Sequence, residues 1–176
     1  LLKRPRAEER FSDLVALLEE VGEREGANVA LQSIENMGEP DATLSMTSYR
    51  ELLERARACA ARLADVGVHP GARVGLVAKN SREWAIGFFG ILFAGATVVP
   101  LESTLSSSNL GARLKRVGVE FALLDMSVEA VDEAACLDLE EFTELPPRGV
   151  TISPPEVLVS PDDEAMIPFT AGASGD

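Results

Sequence analysis

Histidine is nearly missing from this 176-residue sequence: His69 stands alone, in the turn VGVHPGA. One imidazole without a cysteine cluster excludes a zinc site of the usual four-ligand kind and leaves a histidine-based triad unsupported. Cysteine is almost as scarce. Cys59 and Cys136 lie far apart with no CxxC spacing, so they make no disulfide framework. Cys59, set among alanines on a helical stretch, reads as a small buried hydrophobe. Positive charge is outnumbered, 16 Lys and Arg against 29 Asp and Glu. The resulting net charge of −13 works against binding nucleic acid or an anionic membrane through charge. No secretory signal is visible at the N-terminus, so a reducing cytoplasm is the expected setting.

What is present is organised around Arg73 to Leu101, RVGLVAKNSREWAIGFFGILFAGATVVPL. Val74 to Ala78 is a short apolar run, and Thr97-Val98-Val99 is a second, closed by Pro100. Neither alternates in and out, as expected of strands covered on both faces by helices. Between them Ser81 offers a helix cap and Gly95 a helix end. The eighteen residues from Trp84 to Leu101 contain only Thr97 as a polar side chain, the lower limit for a membrane span. Gly87, Gly90, Gly95, Pro100 and the change to β-branched residues favour a buried βαβ unit instead, with no transmembrane segment.

Before this unit, Phe11 to Glu20 has helical spacing with Ser12 or Asp13 as cap. Val29 to Leu31 and Leu44 to Met46 read as a paired couple of short strands joined through Asn36–Ala42. Thr47 or Ser48 starts a long amphipathic helix with Leu52, Leu53, Ala56, Ala60, Leu63 and Val66 inward. Gly67 ends it, and His69-Pro70-Gly71 turns the chain. After Pro100 a helix over Asn109 to Val117 and a strand over Glu120 to Asp125 extend the rhythm. The fold class predicted is α/β, a doubly wound, mostly parallel sheet flanked by helices. Residues 1–125 form this subdomain, and 126–163 read as an acidic, proline-rich connection. Residues 164–176 read as a strand, Ala165 to Thr170, entering a small-residue loop. The acidic run lacks Asp-x-Asp or EF-hand spacing and is a solvated face, not a metal site.

The tail, IPFTAGASGD, is the one stretch with chemistry in it. Gly lets a backbone approach a phosphate closely, and Thr and Ser hydroxyls add donors. It fits neither the Walker pattern nor GxGxxG. It resembles the phosphate-binding loop of the adenylate-forming superfamily, Thr-Ser-Gly-Thr-Thr-Gly-x-Pro-Lys-Gly. That superfamily includes acyl-CoA synthetases, peptide-synthetase adenylation domains and firefly luciferase. Thr170, Gly172, Ser174 and Gly175 match; Ala171 and Ala173 replace hydroxyl residues. The likeness runs back through SYRELLERARACAARLADVGVHPGARVGLVAKNSREWAIGFFGILFAGATVVPLE, and Arg82 to Ile86 with Gly90-Ile91-Leu92 leans towards fatty acyl-CoA synthetases.

The resemblance implies an enzyme that joins a carboxylate, expected to be a fatty acid, to ATP as an acyl-adenylate and then to CoA. ATP, Mg2+ and CoA are the cofactors so implied. Thr170, Ala171, Gly172, Ala173, Ser174 and Gly175 are the expected ATP-phosphate contacts, with no catalytic residue and no metal ligand assigned. The sequence stops one residue short of the Pro-Lys-Gly, and the later motifs are absent, so the polypeptide is expected to be inactive alone. The alternatives are a non-catalytic α/β binding or interaction module, and a flavodoxin-like domain with its ligand at the carboxyl ends of Val74–Ala78 and Thr97–Val99. A subdomain separated from its neighbour leaves apolar surface bare. Light scattering at high concentration is expected to show self-association despite the charge of −13; a clean monomer would count against that account.

Overall fold

The first four helices begin on side chains that cap them. Asp13 Oδ1 accepts from Ala16 N at 2.8 Å ahead of α1 (Leu14–Arg24). Ser48 Oγ accepts from Glu51 N at 3.2 Å ahead of α2 (Tyr49–Asp65). Ser81 Oγ accepts from Trp84 N at 3.0 Å at the start of α3 (Arg82–Phe93), and Ser106 Oγ from Asn109 N at 3.4 Å at α4 (Ser107–Arg116). Each cap satisfies an amide that the first helical turn leaves without a partner. In this computed structural model, residues 13–35, 42–147, 153–157, 159–160 and 162–169 are described.

The sheet lies between two apolar layers. Strands β3 (Arg73–Val77), β4 (Thr97–Leu101), β5 (Phe121–Leu124) and β6 (Ala135–Asp138) stand in the order β4-β3-β5-β6, all parallel. On one face Val74, Leu76, Val98 and Leu123 pack with Leu63 of α2 and Ile86 and Ile91 of α3. On the other, Val77, Val99, Ala122 and Leu124 pack with Leu110 and Leu114 of α4. The doubly wound α/β architecture predicted from the sequence is present, and both faces of β3 are closed.

The long apolar stretch from Trp84 to Leu101 is divided as the sequence indicates. Helix α3 has 12 residues, and Gly95 at φ +71° turns the chain into β4. Among the described residues no helix is long and apolar enough to cross a membrane. Gly90 brings α3 against α2: a Cβ there would stand 2.5 Å from Cys59 Sγ.

A separate antiparallel pair, β1 (Val29–Glu35) and β2 (Thr43–Ser48), precedes α2. Both strands run longer than their apolar cores, because main-chain pairing continues through polar residues. The connection predicted at Asn36–Ala42 lies, apart from Ala42, outside the described residues, as do Phe11 and Ser12. Ile34, Leu44 and Met46 are each more than half exposed.

Two expectations need correction. Val66, assigned to the inner stripe of α2, is the residue after its last turn and is 43% exposed. The stretch from Met126 to Glu144, read as a connection, contains β6 and a five-residue helix, α5 (Leu139–Thr143). β6 pairs with β5 through Ala135–Phe121, Cys136–Ala122, Leu137–Leu123 and Asp138–Leu124. It is a half-exposed edge strand among carboxylates, so it lacks the continuous apolar run that marks a central strand. α5 is too short to be stable by propensity. Arg62 Nη1 donates to the carbonyls of Glu141, Phe142 and Glu144 at 2.9, 3.1 and 2.6 Å, and Arg55 Nη1 to that of Thr143 at 3.2 Å. Two guanidinium groups of α2 thereby close the last turn of α5.

Leu76 is fully buried, and Leu44 faces solvent. Leu76→Ala should cost about 2–5 kcal/mol of unfolding free energy measured by denaturant titration, whereas Leu44→Ala should stay within about 0.5 kcal/mol.

Candidate functional site

The final described segment is tied to the outer edge of β4. Val98 N donates to Ala165 O at 3.0 Å, Ile167 N donates to Val98 O at 2.9 Å, and Val98 pairs with Met166 in parallel. Thr97 Oγ1 adds a bond to Glu164 O at 2.8 Å. The strand predicted over Ala165 to Thr170 is thus a short bridge, parallel to β4. Its direction runs from Ala165 to Phe169 towards the carboxyl ends of the sheet strands, where ligands bind in open α/β folds. Thr170, Ala171, Gly172, Ala173, Ser174 and Gly175 lie outside the described residues.

Helix α4 meets this segment from the second apolar layer. Ile167 and Phe169 pack against the cluster of Leu110 and Leu114, and the Arg113 guanidinium lies 5.6 Å from the Phe169 ring centroid. Sequence reasoning missed Arg113. One of three basic residues in the last turn of α4 carries no signal until the segment that crosses it is known.

A second feature lies where β3 and β5 end. In the order β4-β3-β5-β6 the chain crosses between these two strands, which makes their carboxyl ends the switch-point crevice. An open cavity of about 830 Å3 is found there, lined by residues including Asn80, Ser81, Arg82, Glu83, Asp125 and Glu140. Arg82 Nε is 2.8 Å from Glu83 Oε1, so the one cation named there is already paired. Asp125 Oδ1 is occupied by Ser127 N at 2.8 Å. Three carboxylates against one guanidinium make this crevice unfavourable for a phosphate. Burial acts to raise the Glu83 pKa, but its own backbone N–H, the Arg82 hydrogen bond and charge, and Ser81 together bring it below the ordinary value.

The remaining reactive groups have structural roles. Burial pushes the Cys59 thiol up to about 12, against a smaller opposing effect of Arg62, so it is not a nucleophile at neutral pH. His69 is exposed, with Nδ1 3.0 Å from Pro70 O. Among the described residues no group of three or more His, Cys, Asp or Glu could hold a metal ion.

Residues 17–176 match the family described as AMP-binding enzyme. The chain belongs to this family. The flavodoxin-like alternative falls with that match. Within the family, the chain is 31% identical over 140 residues to surfactin synthase subunit 3 of Bacillus subtilis (strain 168), covering 73% of this chain and 10% of that protein. It is 27% identical over 158 residues to 3-[(3aS,4S,7aS)-7a-methyl-1,5-dioxo-octahydro-1H-inden-4-yl]propanoyl:CoA ligase of Rhodococcus jostii (strain RHA1), covering 73% of this chain and 31% of that enzyme. The N-terminal subdomain of Klebsiella oxytoca NpsA in complex with 3-hydroxybenzoyl-AMSN superposes with a TM-score of 0.76 at 23% identity, over 94% of this chain and 39% of that one. That likeness carries the fold. This family member therefore spans a tenth of the length of the surfactin synthase subunit and about a third of that of the ligase.

The lowered Glu83 pKa links the α3 start to pH. A carboxylate with a depressed folded-state pKa stabilises the fold above its unfolded pKa, and that contribution is lost as pH falls through the folded value. Glu83→Gln should therefore lower the thermal midpoint at pH 7, with the gap to wild type closing below about pH 4.5. A gap unchanged at acid pH would show that the charge of Glu83 is not involved.

Proposed function

We propose that this chain is the N-terminal portion of an ATP-dependent acyl-CoA synthetase, with a fatty acid as its carboxylate. A carboxylate oxygen attacks the α-phosphorus of ATP, the bond to the β-phosphate oxygen breaks, and pyrophosphate leaves. The thiol of CoA then attacks the acyl carbon, and AMP leaves as the thioester forms and the thiol proton passes to solvent. Such a reaction depends on positioning and on charge neutralisation around the phosphates. Thr170, Ala171, Gly172, Ala173, Ser174 and Gly175 would supply backbone amides, with the hydroxyls of Thr170 and Ser174, to the β- and γ-phosphates. Mg2+ would arrive chelated by the nucleotide's own phosphate oxygens, with no carboxylate cage required of this chain.

The observation that carries this reading is the parallel pairing of Val98 with Met166, which directs the segment before Thr170 along the sheet edge. Family membership supports the adenylating half-reaction. The fatty-acid assignment is supported only by the likeness of Arg82 to Ile86 and Gly90 to Leu92. Those residues belong to α3, where Trp84 stacks on Phe88 at 5.5 Å and both pack on the core. A second reading, with an amino acid as the carboxylate, is favoured by the 31% identity to surfactin synthase subunit 3.

Carboxylate-dependent exchange of labelled pyrophosphate into ATP, run with fatty acids and amino acids on the product of the complete reading frame, decides between these. Exchange with long-chain acids and CoA-dependent thioester formation are expected. Exchange confined to amino acids would establish the second reading, and no exchange with any acid would leave a non-catalytic module. The 176-residue polypeptide alone should show none.

A further inference from the structure

Strand β1 has a free edge. It belongs to a two-stranded sheet, so among the described residues no strand lies against its side away from β2. Alternate amides and carbonyls on that side point outward without a ladder partner, which makes a template for another chain. The cavity of about 830 Å3 runs along this edge. Leu31, Gln32, Ser33 and Ile34 line it, four consecutive residues and hence both faces of β1, and no residue of β2 is among them. The faces of the hairpin are also inverted. Ser33, Ser45 and Thr47 lie with Leu31 on the side turned to the core, and Thr47 is buried. Ile34, Leu44 and Met46 share the opposite side, Ile34 directly across from Leu44, and each is more than half exposed. A sheet with one face in water normally places its apolar side chains inward. Apolar side chains outward mark a face that something else covers, and a two-stranded pair is marginal without further cover.

We propose that the free edge of β1 takes, as a third strand, an extended segment of a separate polypeptide in which basic and apolar residues alternate. The charge of the groove selects the basic set. Glu83, Asp125 and Glu140 line the same cavity. Arg82 is paired with Glu83, and among the described residues neither Asp125 nor Glu140 has an ion-pair partner. Successive side chains of an added strand point to opposite faces. One set would extend the apolar face of Ile34, Leu44 and Met46, and the other would carry Lys or Arg towards the carboxylates. Main-chain pairing with β1 supplies affinity, and the alternating side chains supply selectivity. A second copy of this chain is a poor occupant, because it brings its own charge of −13 to an acidic groove. The proposal concerns only described residues and does not depend on the reading of Thr170 to Gly175.

The probe is a terminally blocked peptide of alternating lysine and valine, added to the 176-residue polypeptide. Calorimetry at low salt is expected to detect binding. Hydrogen exchange at the outward-pointing amides within Leu31 to Ile34 should slow about tenfold with free peptide near ten times its Kd, while amides of β3 and β5 keep their rates. The same peptide N-methylated along its pairing edge should not bind, and neither should one of alternating glutamate and valine. Asp125→Asn and Glu140→Gln should each weaken binding, and together by about three- to tenfold, with the gap narrowing as salt rises. Binding that leaves the β1 amides unprotected or survives N-methylation would mean charge attraction without strand addition, and would overturn the proposal. So would an absence of binding, or full affinity in the double variant. Protection of the same amides without peptide would overturn it as well. If that protection rose with protein concentration, a second copy would be the occupant; if it were present only in the product of the complete reading frame, the occupant would be the protein's own further chain.

Discussion

Everything described here hangs on the burial of β3 from both sides. Val74, Leu76 and Val77 have no exposed surface, and the strand pairs with β4 on one edge and β5 on the other. A strand in that position has no solvent face to absorb a change in register. Shifting it by one residue would exchange the side chains given to α2 and α3 with those given to α4. Through Gly90, which lets α3 lie against Cys59 of α2, the same constraint sets how closely the two helices can stack over the sheet. The carboxyl ends of β3, β4 and β5 then form one rim, and every feature relevant to function lies on it or leads to it.

That rim is electrostatically divided. Its switch-point crevice is lined by Glu83, Asp125 and Glu140, with Arg82 spent on Glu83. Its far side, beyond β4, is approached by the segment ending at Phe169, with Arg113 of α4 lying 5.6 Å from that ring. In a chain of net charge −13 this partition matters, because an anionic ligand meets repulsion over most of the surface and finds local relief in few places. Charge disfavours an anion in the switch-point crevice.

The sequence was most legible where local chemistry and burial agreed. Asp13 and Ser48 could each be narrowed to one of two candidate caps, and Ser81 named outright, because each precedes an apolar-periodic run, and Gly95 could be named as a helix end because a positive φ there excludes most side chains. β3 and β4 were visible as unbroken apolar runs. β6 and α5 were not, since a half-exposed edge strand and a five-residue helix are stabilised by distant partners, Phe121 to Leu124 and the arginines of α2. The same holds for the site. Thr170 to Gly175 stood out by composition and family likeness, whereas Arg113 acquires meaning only once a strand from 56 residues later in the chain is laid across it.

The Arg62 contact has a consequence for how the molecule is made. Its guanidinium holds carbonyls 79 to 82 residues further along the chain. α5 cannot nucleate by itself, so its formation waits on a helix already built. During synthesis from the N-terminus, α2 emerges long before α5, and its arginine is then a preformed cap for a helix still inside the ribosome. The α5 segment is therefore expected to form by docking onto α2. The order of the genetic message and the order of assembly run in the same direction.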